Sequence, residues 1–270
     1  MRLATVRLTD RTAAVRIDGD SAVEVGAADV GALLRDEDWR RRAAAAEGPR
    51  HDSRTLDYAP LVPHPSKIIC VGLNYRAHIL EVGLPIPEYP TLFAKFAPAL
   101  IGAFDDIELS SDAAQWDWEA ELGLVIGKTV YRSGEPDAAI AGYTVVNDVS
   151  ARDWQQRTSE WLQGKTFART TPIGPQLVTP DETGTSNPIS CAVGGELMQK
   201  ADTGDLVFGP AALVAYISTI LPLEPGDVIV TGTPGGVGLA RKPQRFLADG
   251  DEVVTRIDGI GECRNTCRLT

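Results

Sequence analysis

Short apolar runs rich in Val and Ile, bounded by Gly, Pro and Asp, recur along much of the chain. Such runs are typical of β-strands. We predict strands in two N-terminal segments and in seven segments after residue 66, namely 1–8, 12–18, 67–73, 121–127, 142–150, 176–180, 191–199, 227–232 and 252–259. Apolar residues recur at helical spacing at 27–47, 74–83 and 209–223, where we predict helices. The regular β-α alternation of a parallel doubly wound sheet is absent, so the predicted fold class is mostly β with some α, an α+β arrangement.

A Pro-rich connector divides the pattern into two parts. The segment DYAPLVPHPSK, at 57–67, separates two strands and one helix from the longer strand-rich region. Pro-rich connectors of this kind mark domain boundaries. We therefore predict a small N-terminal α/β domain at 1–62 and a larger domain at 63–270.

The composition indicates a folded protein without a nucleic-acid partner. Of the 270 residues, 43% are hydrophobic and 23% are charged, which is ordinary for a globular chain. The 37 acidic residues exceed the 26 basic ones and give a formal net charge of -11, whereas nucleic-acid binding depends on clustered Lys and Arg. The sequence contains no apolar run of about 20 residues and no apolar N-terminal stretch. We expect a cytoplasmic protein with no membrane segment and with its four cysteines reduced.

Acidic residues alternate with apolar ones in the segment 116–127. If this segment is one strand, Asp117, Glu119 and Glu121 lie on one face and the apolar residues on the other. Like charges this close destabilise the fold unless a cation or water offsets them, so both a metal site and a solvated edge strand are possible. Asp148 follows the apolar strand GYTVV and is placed to complete a three-oxygen site. Ligation by oxygen alone suits Mg2+, or Mn2+ in its place, better than zinc.

Two further segments carry candidate catalytic groups. His78 and Glu81 stand three residues apart in a predicted helix, where the carboxylate would orient the imidazole as a general base; a surface His beside a surface Glu is the alternative. Lys165, in GKTF, lies between small and apolar residues, and either stabilises an oxyanion near a metal or is an exposed loop lysine. Gln155 is a second possible donor, seven residues beyond Asp148.

The segment TGTPGGVG, at 231–238, is superficially similar to a nucleotide-binding loop. It lacks the Gly-Lys-Ser/Thr ending of a P-loop, and neither a helix nor an acidic ribose ligand follows it. We interpret it as a tight turn whose backbone NH groups and Thr hydroxyls contact an anionic ligand.

Several motifs taken in order resemble those of the fumarylacetoacetate hydrolase family. They are CVGLNYRAHILEVG, LFAKF, WDWEAELGLVIGK, GYTVVNDVSARDWQ, GKTF, GPQLVT, PLEPGDVIVTGTPGGVG and GDEV, between about residues 67 and 265. The resemblance implies a mixed β-roll catalytic domain, usually in a homodimer. It also implies Mg2+ as the metal, with Mn2+ or Ca2+ as substitutes.

The resemblance carries roles onto particular residues of this chain. The two Glu of E-x-E and the Asp of N-D would hold the metal, the N-Y-x-x-H-x-x-E pattern would supply a catalytic dyad on a lid segment, and three further residues would contact the substrate or its oxyanion. These groups are Glu119, Glu121 and Asp148; His78 and Glu81; and Gln155, Lys165 and Thr233.

The implied function is Mg2+-dependent hydrolysis of a C–C bond in a small 2,4-dioxo acid of the acylpyruvate, fumarylacetoacetate or fumarylpyruvate type, through a metal-bound enolate. Two alternatives use the same enolate: decarboxylation of an oxaloacetate-type acid, and isomerisation of 2-hydroxyhepta-2,4-diene-1,7-dioate in the catabolism of aromatic compounds. A binding protein that retains the metal but does not react with the oxo-acid is an alternative from another class.

Overall fold

Strands account for most of the regular structure. The computed structural model describes residues 1–132, 134–184 and 186–270. Nineteen strands lie within these residues, and in chain order they are β1 (Arg2–Arg7), β2 (Thr12–Asp18), β3 (Ser21–Glu24), β4 (Arg50–Asp52), β5 (Asp57–Tyr58), β6 (Ile68–Gly72), β7 (Thr91–Lys95), β8 (Leu100–Ile101), β9 (Ile107–Leu109), β10 (Trp116–Asp117), β11 (Ala120–Ile126), β12 (Ile140–Asn147), β13 (Ser150–Ala151), β14 (Thr171–Val178), β15 (Pro188–Val193), β16 (Glu196–Asp202), β17 (Val228–Val230), β18 (Glu252–Ile257) and β19 (Gly261–Leu269).

The α-helices are few and short. In the same described ranges they are α1 (Val30–Leu34), α2 (Trp39–Ala44), α3 (Arg76–Glu81), α4 (Arg152–Gln155), α5 (Leu162–Lys165) and α6 (Pro210–Ile220). Helices α3 and α6 fall in two of the three segments predicted to be helical. None of the helices in the described residues has both the length and the apolar character needed to cross a membrane. The predicted fold class, mostly β with a few helices, is confirmed.

The largest sheet contains twelve strands. Its main order is β4-β3-β2-β1-β14-β12-β11-β17-β6-β7, while β5 pairs with β1 and β8 pairs with β14. Because β1 runs antiparallel to β14, with Arg2 opposite Val178, the N-terminal strands continue the sheet of the larger unit. The domain boundary at residues 62 and 63 lies between β5 and β6 and stays a prediction.

A second sheet of five strands, in the order β16-β15-β18-β19-β9, packs against the first. Leu122 and Leu124 of β11 share one buried cluster with Val145 of β12, Cys191 of β15 and Val253 of β18. Strand β11 is buried along its whole length. A charged side chain on or beside this strand therefore requires a partner, because an unpaired buried charge is very unfavourable.

The continuous helix predicted at 27–47 is wrong, since the segment forms α1 and α2 with a turn between them. Asp29 caps α1 by accepting a hydrogen bond from Ala32 N at 2.8 Å. Asp36 Oδ1 then accepts one from Asp38 N at 3.0 Å. Side chains that bond the nearby backbone compete with helical hydrogen bonding, so the polar stretch at 35–38 ends the first helix.

The single strand predicted across 116–127 is interrupted. Strand β10 ends at Asp117 and β11 begins three residues later, and both faces of β11 are buried rather than one being anionic. The Asp117 carboxylate does not join the carboxylate cluster of Glu119 and Glu121, and it accepts a hydrogen bond from Gly238 N at 2.7 Å. Glu119 and Glu121 converge as strand alternation predicts, and Asp117 is the residue that departs from that pattern.

Candidate active site

Three buried carboxylates converge where β11 begins and β12 ends. Glu119, Glu121 and Asp148 each offer an oxygen, and these oxygens all lie within 4.8 Å of one another. The backbone brings them together, because Ala120 pairs with Asn147 and Asp148 N donates to Glu119 O at 2.9 Å. The residues predicted to hold a metal therefore do form one cluster.

Asn147 positions the backbone of Glu119 in the gap between β10 and β11. Its side-chain oxygen accepts a hydrogen bond from Glu119 N at 2.9 Å, and its side-chain nitrogen donates to Thr255 Oγ1 at 2.8 Å. The amide thereby replaces a strand partner for Glu119. It also ties the carboxylate cluster to β18 of the second sheet.

Two buried lysines neutralise part of the cluster. Lys165, at the end of α5, donates to Glu119 Oε2 at 2.7 Å and to Asp148 Oδ2 at 2.8 Å. Lys95, at the end of β7, donates to Asp148 Oδ1 at 2.5 Å. In the sequence, Lys95 is recognisable only as part of the motif LFAKF, which does not reveal its role. The feature that could have identified Lys95 as a site residue is its position at the end of an apolar strand.

Arg152 is a further site residue that the sequence did not identify. Its Nε donates to Asp117 Oδ2 at 2.8 Å, and its Nη1 lies 2.7 Å from Glu119 Oε1 and donates to Gln155 Oε1 at 2.9 Å. Its Nη2 is buried and has no hydrogen-bond partner among the described residues. Arg152 also lines the cavity described below, and an unpaired buried N–H is unusual in a folded protein.

The carboxylates differ in their ionisation. Burial raises the pKa of Glu121 well above its usual value, and the charges of Asp148 and Glu119 raise it further. Burial has the same effect on Glu119, but the charges of Lys165 and Arg152 outweigh it and lower the pKa of Glu119. Burial would lower the pKa of Lys165, but Asp148 and Glu119 raise it. Glu121 is thus the carboxylate for which the protein supplies the least compensation.

A divalent cation fits this set of donors. The four buried carboxylates, with Asp117 included, face three buried cationic side chains, which leaves one excess negative charge when all are ionised. The three converging groups offer oxygen alone, as Mg2+ and Mn2+ prefer. Binding a divalent cation would turn the excess into one positive charge, which an anionic substrate would offset.

The dyad predicted from the motif NYRAHILE is present on α3. His78 Nδ1 lies 3.3 Å from Glu81 Oε2, and the imidazole is largely buried. Both oxygens of Glu81 accept from Gly236 N at 3.1 Å. Burial opposes the ionisation of Glu81, but the hydrogen bonds from His78 and Gly236 prevail and lower its pKa.

Within the described residues, backbone NH groups of the glycine-rich turn donate hydrogen bonds to carboxylates of the protein itself. Gly232 N donates to Glu121, Gly236 N to Glu81, and Gly238 N to Asp117. The sequence predicted NH groups that contact an anionic ligand, whereas these three NH groups are occupied by carboxylates of the protein itself. Gly232 has a φ of +100°, and a Cβ there would lie 2.8 Å from Asn74 Cβ, so the close approach requires glycine.

A cavity of about 770 Å³ contains these groups. Polar groups of the site line one part of the cavity, namely Glu119, Glu121, His78, Glu81, Lys165, Arg152, Gln155 and Thr233. Its apolar wall consists of Val71, Leu73, Val82, Leu84, Phe93 and Trp161.

The two predicted substrate-binding residues, Gln155 and Thr233, are held by hydrogen bonds. Gln155 turns its oxygen toward Arg152, which leaves its NH2 group for the cavity. The Thr233 hydroxyl donates to Ala120 O at 3.1 Å and accepts from Gln199 Nε2 at 2.8 Å. Gln199, which sequence reasoning missed, fixes this threonine.

Comparison with known proteins identifies the family. Residues 67–268 match the family model described as fumarylacetoacetate (FAA) hydrolase C-terminal. The chain belongs to the fumarylacetoacetate hydrolase family. The resemblance noted in the sequence is thereby confirmed, and the β-rich architecture agrees with that of solved members of this family.

Three relatives from the fumarylacetoacetate hydrolase family illustrate its range. Oxaloacetate tautomerase FAHD2A, mitochondrial, from Homo sapiens is 43% identical over 227 residues, which cover 82% of this chain and 72% of that protein. The structure of 5-carboxymethyl-2-hydroxymuconate delta-isomerase from Mycobacterium smegmatis shares 32% identity and a TM-score of 0.83 over 100% of this chain and 99% of that one. Fumarylacetoacetate hydrolase (EaFAH) from the psychrophile Exiguobacterium antarcticum shares 29% identity and a TM-score of 0.89 over 100% of both chains. This chain therefore belongs to an enzyme family that acts on oxo-acids, whose members catalyse different reactions.

Proposed function

We propose that this protein is a metal-dependent enzyme that interconverts the keto and enol forms of a 2-oxo acid. The observation that carries the proposal is the meeting of a metal-compatible carboxylate cluster, a His–Glu dyad and buried cationic donors in one cavity. A relative that is 43% identical over 82% of the chain bears the name oxaloacetate tautomerase, which favours proton transfer over bond cleavage.

Glu119, Glu121 and Asp148 would hold Mg2+ or Mn2+. When bound, such an ion supplies Lewis-acid polarisation of the substrate's carboxylate and keto oxygens. The ion would also relieve the repulsion by Asp148 and Glu119, which adds to burial in raising the pKa of Glu121.

His78 is suited to move the proton. Its Nδ1 is engaged by Glu81, so Nε2 is the ring nitrogen left to remove a proton from the carbon beside the keto group. Glu81 fixes the ring orientation and stabilises the imidazolium that forms. Returning the proton to the oxygen completes the conversion of keto to enol form, with no change in composition.

Cationic and amide donors stabilise the negative charge that develops on the keto oxygen. Arg152 offers its unpaired Nη2, and Gln155 offers its NH2 group. Lys165 uses two of its three N–H bonds on Glu119 and Asp148, which leaves one for the substrate. Donors fixed in advance in a water-poor site stabilise a developing charge more than they would in water.

Hydrolysis of a C–C bond is a second candidate, and the dyad is the observation that favours it. His78 Nε2 would then deprotonate a water molecule, which attacks the distal carbonyl of a 2,4-dioxo acid. The C–C bond breaks, one acid leaves with the oxygen of the water, and the remaining pyruvate enolate takes up the proton held by His78. The solved relative EaFAH bears the name of a hydrolase of this kind.

One assay separates the candidates. Purified protein with Mg2+ is incubated in D2O with oxaloacetate and, separately, with an acylpyruvate. Tautomerisation incorporates deuterium beside the keto group, hydrolysis yields two acids, and decarboxylation yields CO2. Tight binding of an oxo-acid without any of these reactions would overturn the enzyme proposal in favour of a binding protein.

The same assay tests the assignment of the base. His78→Ala should lower turnover by about 10²- to 10⁴-fold, the usual contribution of a general base. His64→Ala is the matched control, because His64 is exposed and does not line the cavity. Unchanged turnover in His78→Ala would refute the role given to His78.

A further inference from the structure

Two basic residues line the outer part of the cavity, on the loop that follows the glycine-rich turn. Arg241 and Lys242 belong to the stretch Leu239–Gln244, which contains no acidic residue. Lys242 is exposed and forms no ion pair with any of the described residues. Arg241 lies 3.1 Å from Glu196, an exposed residue at the start of β16 that holds the guanidinium at the rim.

The cavity therefore has two chemically different ends. The inner end carries the carboxylate cluster suited to a metal, and the outer end carries Arg241 and Lys242. The cavity also has an apolar wall that includes Phe93 and Trp161, whose rings pack edge to face at 5.5 Å. At about 770 Å³ the cavity lies in the range that encloses ligands much larger than a 2-oxo monoacid of a few heavy atoms.

We propose that Arg241 and Lys242 bind a second carboxylate of the substrate, so that the enzyme selects 2-oxo dicarboxylates over monocarboxylates. This inference rests on the proposed function, because it assumes that the oxo-acid end of the substrate lies at the carboxylate cluster. The second carboxylate then lies at the opposite end of the same molecule, with the short middle part of the chain along the apolar wall.

Hydrogen bonds anchor the start of the basic loop to residues that contact the carboxylate cluster. Gly238 N and Leu239 N donate to Asp117 at 2.7 and 3.0 Å, and Asp117 in turn binds Arg152, which binds Glu119. The basic loop is thus anchored to the residues that position a candidate metal ligand. A rigid anchor of this kind allows the site to discriminate by the position of the second charge, because little ordering is required on binding.

Long-range electrostatic attraction of anions is the competing explanation for the two basic residues. A basic rim raises the association rate of any anion, with or without a second carboxylate. A direct contact instead favours the diacid over an analogue of the same shape that lacks the distal charge. The decisive quantity is therefore the ratio of the kcat/KM values for a diacid and for its distal methyl ester.

The experiment measures this ratio with Mg2+ for the wild-type protein, Lys242→Met and Arg241→Gln. Oxaloacetate and its distal methyl ester serve for tautomerisation. We expect the wild-type protein to prefer the diacid and each variant to lower the ratio by at least about tenfold, since charged hydrogen bonds contribute about 1.5–3 kcal/mol and tenfold corresponds to about 1.4 kcal/mol. Lys200→Met is the matched control, because Lys200 is exposed and lies outside the cavity.

An equal preference for diacid and ester in the wild-type protein, or an unchanged ratio in both variants, would overturn the inference. Binding of 2-oxoglutarate and of its 5-methyl ester in the presence of Mg2+, measured by calorimetry, gives the same ratio without turnover. If the wild-type protein converts no oxo-acid but still prefers 2-oxoglutarate through Lys242, the proposed reaction fails and the carboxylate site stands. If it converts the ester as well as the diacid, the reaction stands and the carboxylate site fails.

Discussion

Arg152 and Glu119 form a buried ion pair with 2.7 Å between Nη1 and Oε1. The same guanidinium binds Asp117, so one side chain joins a candidate metal ligand to the carboxylate that anchors the loop beginning at Gly238. We therefore expect both metal affinity and the position of the outer loop to depend on Arg152, which contributes no metal ligand.

Arg152→Lys should weaken Mg2+ binding by about 10- to 100-fold, the usual effect of losing a partner that orients a ligand. Lysine keeps the positive charge but cannot bind Asp117 and Glu119 together in the geometry of a planar guanidinium. Calorimetric titration with Mg2+ measures the affinity. Arg157→Met is the control, because Arg157 is exposed and stacks on Trp154. Equal affinity in Arg152→Lys and wild type would show that Arg152 does not orient Glu119.

Glu121→Gln should stabilise the metal-free protein or leave it unchanged, while abolishing most of the rise in Tm on adding Mg2+. The substitution removes the carboxylate that is repelled by Asp148 and Glu119, but it also removes one of the three oxygens suited to the ion. Thermal unfolding with and without Mg2+ gives both quantities. Glu47→Gln, at an exposed site, should retain the wild-type rise. A full Mg2+ effect in Glu121→Gln would exclude Glu121 as a ligand.

The contact of Glu81 with His78 and Gly236 should weaken in acid. Burial opposes the ionisation of Glu81, but its hydrogen bonds lower its folded-state pKa below the usual value of 4.5. A lowered folded-state pKa means that the stabilisation is present above about 4.5 and is lost as the pH falls through the folded-state value. Unfolding by denaturant across this range should show the wild-type advantage over Glu81→Gln disappearing toward low pH. A constant difference between the two proteins would argue against an ionised Glu81.

Gly232→Ala should destabilise the protein by about 1–3 kcal/mol and weaken Mg2+ binding, because a left-handed backbone disfavours a side chain and the NH donor to Glu121 would shift. The new Cβ would lie 2.8 Å from Asn74 Cβ and 2.9 Å from Val71 O. Gly209→Ala is the control, since a Cβ at Gly209 has no atom within 4 Å. Denaturant unfolding and Mg2+ titration should separate the two variants, and similar values for both would contradict the constraint at Gly232.

The sequence by itself determined the β-rich class and the family, together with the residues that form the carboxylate cluster. Strand periodicity and the strand-ending Asp148 are local features, so they can be recognised from a few neighbouring residues. The helix at 27–47 and the uninterrupted strand at 116–127 were wrong because side chains such as Asp36 and Asn147 replace regular backbone hydrogen bonds. The periodicity of apolar residues does not show where a side chain competes with backbone hydrogen bonds.

Only the tertiary structure decided which charges meet. Lys95 reaches Asp148 across 53 residues of chain, and Asp117 receives the NH of Gly238 across 121. Pairings of this separation depend on how distant strands register and how two sheets pack, and a single sequence carries no local signal for either. For the same reason, the sequence does not show that Arg241 and Lys242 line the cavity. Each of them, taken alone, is an ordinary surface cation.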